Sequence, residues 1–365
     1  MKNSILVKVI VGILACMLIV PLLAACSSGT PDVTTLTTPS EVSSTQSPVA
    51  ATEVIKLKMA SPWTPTAMAT IEAQMLVDII NEKSQGKLEI TLYSGESLGK
   101  AATTLDMLNN RICDMSIIPT GSFPNVFALY NGTQIPMMGI PSSDALLEIA
   151  HTLNGKGYVG NPDKYKVIAF NIPRPTNLWF SNKQVLKAED FKGLKIRATD
   201  TAFLKPFEQF GITPISMPSA EVYSAIERGI LDGATQTPEN IITMKLYEVE
   251  KYGIDLPFAW AGAVMAISTQ AYDKLPADLQ AIVLESVSDF EKESKAMFAE
   301  LDKKTSQDLK DHGVLYYKLD ATEVDRWQKL YDANLEDWIA KREAEGLKGR
   351  EAVDLIKSIS QKHSN

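Results

Sequence analysis

The stretch DFKGLKIRATD, residues 190–200, places an arginine at the end of a short segment of alternating apolar and charged residues. The alternation in LKIRA is typical of a strand with one buried face. Arg197 therefore ends a predicted strand inside a folded domain, where an unpaired charge is costly. We therefore expect a partner for its charge, and a nearby carboxylate such as that of Asp200 is one alternative.

The segments around this stretch alternate between predicted strands and helices. KVIAF, ITPISM and GILDGA are short apolar runs bounded by turn residues, as strands are. Thr237 is a candidate N-cap with Pro238 at the first helical position, so the chain should enter a helix directly after a loop. These elements predict an α/β lobe.

An earlier part of the chain predicts a similar lobe. EVIKLKMA, KLEITLY and DMSIIP have the pattern of strands. Helical apolar stripes lie between them and consist of Met68, Ile71, Met75 and Ile79, then Ala101, Leu105, Leu108 and Ile112. The β-α-β-α-β order predicts a parallel or mixed sheet covered by helices.

A long helix is predicted from Pro276 to about Lys310, because this segment has no internal glycine or proline. At 1.5 Å per residue it would be about 50 Å long, enough to bridge both lobes. Asp320 is a candidate N-cap for a later helix, with Glu323 three residues on. The aromatic and apolar residues of that helix are expected to be core: Val324, Trp327, Tyr331, Leu335 and Trp338.

The N-terminal 52 residues differ from the rest. Lys2 and Lys8 precede an apolar run that ends in LAAC, residues 23–26, as a secretory signal with small residues at its cleavage site does. LAAC resembles the lipobox of bacterial lipoproteins, which implies cleavage before Cys26 and lipidation of its sulfur. An uncleaved anchor helix is the alternative. Residues 27–52 are rich in Ser, Thr and Pro and predict a disordered tether.

Charge and cysteine content exclude several classes of function. Removing residues 1–25 takes away two lysines and no acid, so the net charge changes from −8 to −10, which disfavours nucleic acid as a partner. Cys113 alone would remain in the folded part, so neither an internal disulfide nor a cysteine-based zinc site is expected. The three histidines are too scattered for a ligand motif, and no metal or cofactor is expected.

Catalytic motifs are absent from the sequence. It contains no GxSxG motif, no Walker A pattern and no GxGxxG opening a helix. No nucleophile can be matched with a base, so we do not expect an enzyme. An extracytoplasmic hydrolase is the alternative from a different class, because two-lobed clefts also suit enzymes.

Four segments together resemble one family. EDFKGLKIR, FGITPISMPSAEVYSAIERGILDGA, KLYEVEKY and YSGESLGKAATTLDMLNNRICDMSI closely resemble the substrate-binding proteins of tripartite ATP-independent periplasmic (TRAP) transporters, the DctP-type family. The resemblance implies a two-lobed periplasmic-binding-protein fold of the α/β class, with hinges, a long helix across both lobes and a cleft for an organic acid. It also implies delivery of that acid to a TRAP membrane permease.

The resemblance divides the chain into four parts. Residues 1–25 are a lipoprotein signal peptide, and residues 26–52 are the lipidated cysteine and tether, which would attach the protein to the lipid bilayer outside the cytoplasm. The first lobe comprises 53–174 and 262–301, and the second 175–261 and 302–365. Hinges are expected near residues 174–176 and 260–263, where the chain crosses between lobes.

The family pattern also implies the ligand contacts. Arg197 occupies the position of the arginine that pairs with the ligand carboxylate, and a guanidinium can form two parallel hydrogen bonds to a carboxylate. The other candidates carry amide, hydroxyl, aromatic or basic side chains: Arg174, Asn177, Trp179, Phe180, Gln236, Asn240, Trp63 and Thr120. Lys183 is as well explained as a surface residue, and Trp63 as a packing residue.

The ligand itself is expected to be a small carboxylate. Relatives that bind sialic acid carry charged groups after the first-lobe strand, where this chain has Pro119 and Ser122. A smaller acid held by Arg197, amides and apolar walls fits better. A receptor of the ABC-transporter type or a sensory receptor is the alternative among binding proteins, and the long helix with the KGLKIR segment favours the TRAP type.

Overall fold

The structure is a computed structural model that describes residues 54–160, 163–172, 174–198, 207–260 and 262–364. The predicted signal peptide, tether and Cys26 lie outside these ranges. Within them, no helix combines the length and the apolar character that a membrane crossing requires.

Strands and helices alternate through most of the described chain. The strands are β1 (Ile55–Ala60), β2 (Leu88–Tyr93), β3 (Met115–Pro119), β4 (Tyr165–Phe170), β5 (Pro175–Phe180), β6 (Lys195–Arg197), β7 (Thr213–Ile215), β8 (Gly233–Gln236), β9 (Tyr252–Ile254), β10 (Ala259–Trp260), β11 (Ala263–Ser268) and β12 (Leu315–Tyr317). The α-helices are α1 (Met68–Lys83), α2 (Thr104–Asn109), α3 (Ser143–Gly155), α4 (Val222–Glu227), α5 (Pro238–Thr243), α6 (Thr269–Asp273), α7 (Ala277–Asp311), α8 (Ala321–Ala344) and α9 (Gly349–Ser364).

The first sheet has the strand order β2-β1-β3-β11-β4 and is mixed, as predicted. β1 pairs in parallel with β2 and β3, whereas β11 runs antiparallel to β3 and β4. Along β11, Val264 and Ala266 join one apolar cluster while Met265 and Ile267 join another on the opposite face. Successive side chains of a strand point to opposite faces of the sheet, and here both sets are apolar. This pattern is typical of a sheet covered by helices on both faces. The sheet and its covering helices form the first lobe.

The second sheet has the order β12-β9-β5-β8-β6-β7, with β10 paired to the start of β5. Leu178 and Phe180 of β5 enter one core cluster, and Trp179 between them enters the cluster on the other face. Aromatic residues of α8 cover the first of these faces, where Trp327 packs 5.1 Å from the Phe191 ring centroid. This sheet and its covering helices form the second lobe, and the two-lobed α/β architecture is as predicted.

The chain crosses between the sheets at two places where hinges are predicted. β4 belongs to the first sheet and β5 to the second, and residues 171–174 connect them. β10 belongs to the second sheet and β11 to the first, with only residues 261–262 between them.

Helix α7 joins the lobes a third time. It has 35 residues, so at 1.5 Å per residue it is about 52 Å long. Its N-terminal half packs into the first lobe through Leu279, Val283 and Phe290, and Leu309 near its C-terminus enters a second-lobe cluster. The predicted long helix across both lobes is confirmed.

The C-terminal helices differ from the predicted division, which assigned 302–365 to the second lobe. Trp327 and Tyr331 of α8 belong to a second-lobe cluster, but Leu335 and Ile339 of the same helix belong to a first-lobe cluster. Helix α9 packs on α3 of the first lobe through its buried apolar face. Because α8 has 24 residues, it is long enough to carry the chain back across both lobes.

Candidate functional site

A cavity of about 140 Å³ lies between the two lobes. From the first lobe it is lined by Trp63, Met68, Glu72, Pro119, Ser122 and Asn171. From the second lobe and the preceding connection it is lined by Arg174, Thr176, Arg197, Thr235, Gln236 and Asn240. Phe298 of α7 contributes an apolar wall. The cavity lies at the carboxyl ends of β3 and β4 and of β6 and β8, where ligands of open α/β sheets bind.

Arg197 reaches this cavity because it is the last residue of β6. Ile196 before it is fully buried in the core, so the alternation of the strand turns Arg197 toward the other side. The Arg197 side chain is nevertheless 93% buried, since its relative exposure is 7%. Its Nε donates a long hydrogen bond of 3.4 Å to the Met217 carbonyl oxygen.

The charge of Arg197 is not balanced by an ion pair with any carboxylate among the described residues. Burial lowers its pKa to about 10, which leaves it protonated at neutral pH, and the carboxyl that acts on it electrostatically is Glu250. Glu250 is fully buried, and burial raises its pKa to about 8. Burial therefore opposes ionisation of Glu250, so this carboxyl offsets the charge of Arg197 less than an exposed carboxylate would. Asp200, the alternative partner, lies outside the described residues.

Arg174 also lines the cavity, but its positive charge is paired with two carboxylates, those of Glu239 and Asp302. Its Nε donates to Glu239 Oε1 at 3.0 Å, and Nη2 bonds to both Glu239 and Asp302. Burial acts to lower the Arg174 pKa, yet the two carboxylates raise it overall. The guanidinium also lies 5.0 Å from the Phe298 ring centroid. Arg174 thus ties the connection before β5 to α5 and α7, and its main contacts are structural.

Asn240 forms a hydrogen bond between the lobes. Its Oδ1 accepts from the Met68 backbone N–H at 3.1 Å, at the first residue of α1. The N-cap residue of α1, Ala67, provides no side-chain cap, so Asn240 of the second lobe satisfies one of the free amides of this helix. Gln236 lies beside it, with its Oε1 3.4 Å from Asn240 Nδ2. The predicted candidates Gln236, Asn240 and Trp63 all line the cavity.

The structure does not place three of the predicted residues of β5 at the cavity. β5 is antiparallel to β8, so it starts at the cavity edge with Thr176 and then runs away from it. Asn177 is buried and donates to the carbonyl oxygens of Ile254 and Leu256. Trp179 and Phe180 are core residues on opposite faces of the sheet. Their aromatic character reflects packing.

Thr120 is likewise not part of the cavity lining, although Pro119, Gly121 and Ser122 beside it are. It is fully buried, and its Oγ1 donates to the Gly262 carbonyl oxygen at 3.1 Å. Its backbone carbonyl oxygen accepts from Asn131 Nδ2 at 3.0 Å. Thr120 therefore fixes the loop that follows β3 against the start of β11.

Sequence reasoning missed Glu72. This residue of α1 is 1% exposed and lines the cavity, and its Oε1 accepts from the Ile172 N–H at 2.6 Å and from Ser294 Oγ at 2.7 Å. Burial raises its pKa to about 8, although the hydrogen bonds and Arg174 act in the opposite direction. A signal was present in the sequence, because Glu72 lies four residues after Met68 on the apolar face of the helix. Asn171 and Phe298 were missed without such a signal.

The described residues contain no group of three or more His, Cys, Asp or Glu side chains placed to hold a metal ion. The polar groups at the cavity are therefore one unbalanced guanidinium, amides, hydroxyls and a buried carboxyl. A two-lobed α/β protein with such a cavity between its lobes has the architecture of a solute-binding protein.

Comparisons with known proteins identify the family. The model of the family described as bacterial extracellular solute-binding protein, family 7 (DctP), matches residues 59–342. The chain belongs to this family.

Individual relatives support the assignment. The chain is 26% identical over 303 residues to the 2,3-diketo-L-gulonate-binding periplasmic protein YiaO of Escherichia coli K12, a match that covers 80% of this chain and 87% of the relative. The solved structure of DctP7, a Bordetella pertussis extracytoplasmic solute receptor binding pyroglutamic acid, superposes with a TM-score of 0.75 at 18% identity, covering 83% of this chain and all of that one. The structure of a TRAP solute-binding protein from Rhodoferax ferrireducens in complex with copurified benzoate also superposes with a TM-score of 0.75, at 21% identity. This match covers 85% of this chain and 99% of that one.

We expect Glu72 to make folding stability depend on pH. Its pKa in the folded protein is about 8, above the ordinary 4.5, so its favourable contribution is complete below pH 4.5 and is lost as the pH rises toward 8. The free energy of unfolding of Glu72→Gln should match that of the wild type near pH 4.5. Between pH 4.5 and 8 it should increase relative to the wild type by at most about 1.4 kcal/mol per pH unit. Urea unfolding at a series of pH values measures this difference.

Glu82→Gln, an exposed substitution on the same helix, is the matched control and should follow the wild type throughout. A difference between Glu72→Gln and the wild type that stays constant from pH 4.5 to 8 would contradict the assignment of a raised pKa to Glu72.

Proposed function

We propose that this protein is an extracytoplasmic receptor that binds a small organic acid in the cavity between its lobes, with Arg197 binding the carboxylate. The observation that carries the proposal is the state of Arg197, a 93% buried cation that lines the cavity with no ion-pair partner among the described residues. A buried charge of this kind is costly unless an opposite charge joins it, and a guanidinium can bind a carboxylate through two hydrogen bonds.

The remaining lining supports a small acid. Trp63, Met68 and Phe298 provide apolar surface, while Gln236 and Thr235 provide a few polar groups. Sites of this composition hold a ligand by apolar contact and orient it by a small number of polar anchors. The cavity has a volume of about 140 Å³, whereas pockets for drug-sized ligands have volumes of roughly 300 Å³ or more. The names of the relatives, which bind pyroglutamate, benzoate and a diketo sugar acid, agree with this class.

Contacts from both lobes support binding by closure. A ligand that touches Arg197 on the second lobe and the α1 face on the first gains contacts that an open arrangement lacks, so it stabilises the closed state. The connections near residues 174–176 and 260–263 are the proposed hinges, since each passes from one sheet to the other. The hydrogen bond from Met68 N–H to Asn240 would form on closure.

The proposed recipient of the acid is a TRAP permease. Membership of the DctP family and the TRAP relatives support this partner over an ABC-type or sensory system, which remain the alternative binding roles. A hydrolase is disfavoured because the described residues that line the cavity include no histidine, cysteine or lysine, and their ionisable side chains are Arg174, Arg197 and Glu72. The proposed role is binding without chemistry.

We also propose that the mature protein is a lipoprotein attached to the membrane through Cys26. The support is the sequence LAAC at residues 23–26, preceded by an apolar run and followed by a segment rich in Ser, Thr and Pro. A tether of about 26 residues with coil dimensions would hold the domain roughly 30 Å from the lipid surface on average.

Arg197→Ala should weaken acid binding by about 2 to 5 kcal/mol, or roughly 30-fold to several thousand-fold, because the ligand carboxylate would be buried without its partner. Arg197→Lys should recover only part of this loss, since an ammonium cannot form the two parallel bonds of a guanidinium. Calorimetry with an acid first identified as a ligand of the wild type measures both effects.

Thermal melts of the ligand-free variants are the control, and both variants should remain folded. Full-strength binding by a folded Arg197→Ala protein would refute the carboxylate contact. A large loss of stability in the ligand-free protein would instead assign Arg197 a structural role.

Cys26→Ala should prevent lipidation and leave unprocessed precursor, because the thiol that accepts the lipid is absent. Metabolic labelling with a fatty acid, together with gel mobility before and after globomycin treatment, measures processing. Normal labelling and cleavage of the Cys26→Ala chain would contradict the proposal.

A further inference from the structure

Glu72 is a buried carboxyl that the carboxylate contact of Arg197 does not use. It lines the cavity from α1, on the first lobe, whereas Arg197 lines it from β6 on the second lobe. Both residues are more than nine-tenths buried. The cavity therefore has a cationic group from one lobe and a carboxyl group from the other.

The protein contacts of Glu72 need an acceptor oxygen, not a carboxyl group. Ile172 N–H and Ser294 Oγ both donate to Oε1, at 2.6 and 2.7 Å, and the Asn171 side chain also bonds to the carboxyl. A glutamine could accept the two bonds at Oε1 through its amide oxygen. The two bonds at Oε1 therefore do not by themselves explain a glutamate over a glutamine at this position.

The surroundings keep this carboxyl uncharged near neutral pH. The charged group that faces Glu72 is Arg174, whose own charge is taken up by Glu239 and Asp302. Ser294 of α7 and Asn171 of the connection after β4 also contact Glu72, and neither side chain titrates. Because burial raises the Glu72 pKa to about 8, the group carries its proton at pH 7. A neutral carboxyl is a hydrogen-bond donor as well as an acceptor.

We propose that Glu72 determines specificity at the cavity, where its neutral carboxyl donates a hydrogen bond to an oxygen carried by the acid at the end remote from its carboxylate. The inference rests on the proposed binding function and narrows its ligand class. Hydroxy, oxo and lactam acids have such an oxygen, whereas plain apolar acids lack it. An acid of this kind contacts both lobes through polar groups, Arg197 at one end and Glu72 at the other.

Two pairs of acids test the inference. Pyroglutamate and cyclopentanecarboxylate share a five-membered ring and a carboxylate but differ in the lactam group, and 3-hydroxybenzoate and benzoate differ in one hydroxyl. Calorimetry at pH 7 gives the affinity ratio within each pair for the wild type, Glu72→Gln, Glu72→Leu and Glu250→Gln. The ratio separates a contact with the remote oxygen from damage to the fold, which weakens both members of a pair.

The wild type should bind the oxygen-bearing member of at least one pair about tenfold or more tighter, the value of one well-placed buried hydrogen bond. Glu72→Leu should bring that ratio close to one while leaving the affinity for the apolar member within a few-fold. Glu72→Gln should retain part of the ratio, since its amide also donates. Glu250→Gln acts through Arg197 on the carboxylate common to both members and should leave the ratio unchanged.

The pH dependence adds an independent arm. In the wild type the preference for the oxygen-bearing acid should fall above about pH 8, when Glu72 loses its proton, and this fall should be absent in Glu72→Gln. A pH profile that is the same in both proteins would argue against a donated proton.

The inference fails if Glu72→Leu keeps the wild-type ratio, or if the wild type binds both members of each pair equally or prefers the apolar one. If Arg197→Ala still abolishes binding in that case, the proposed receptor function stands without Glu72. Binding of none of the four acids by the wild type would count against both.

Discussion

Arg197 is a positive charge that the fold buries at the carboxyl end of β6, beside the cavity between the lobes, and no carboxylate among the described residues forms an ion pair with it. Strand β6 ends at this residue, and the parallel neighbours β7 and β8 fix its position from both sides. The nearby Glu250 is itself buried with a raised pKa, so it does not supply a full negative charge at neutral pH. A buried arginine is costly unless an opposite charge joins it.

The other polar contacts described around the cavity join elements of the protein to one another. Arg174 joins α5 and α7 through two carboxylates, and Asn240 caps α1 across the cleft. Helix α7 packs on both lobes and therefore couples their positions. The two arginines that line the cavity therefore differ in their surroundings: Arg174 forms ion pairs with Glu239 and Asp302, whereas Arg197 forms none with the described residues.

The sequence allowed most of the architecture to be predicted. Alternating strands, the long helix without glycine or proline and the Thr237-Pro238 helix start are local patterns, and the structure has β8, α5 and α7 where these patterns place them. The path of α8 and α9 was not predictable, because which lobe an amphipathic helix covers depends on tertiary packing. Part of the cavity lining was found from the family resemblance, including Arg197 and Gln236.

The differences between the predicted site residues and the residues that line the cavity have one physical origin. The family resemblance assigned polar and aromatic residues of β5 to the ligand, but the direction of a strand decides which of its residues reach the cavity edge. That direction depends on pairing with β8, which lies more than fifty residues later in the chain. Glu72 was overlooked for a related reason, since its burial depends on α7 and on the connection after β4.

The most direct test of the central claim is a crystal structure of the protein with the acid that copurifies with it. The account predicts that the carboxylate of the acid lies within about 3.2 Å of two guanidinium nitrogens of Arg197, with the rest of the molecule enclosed by both lobes. An acid bound elsewhere, or an Arg197 guanidinium that pairs with a carboxylate of the protein while the cavity is filled, would contradict it.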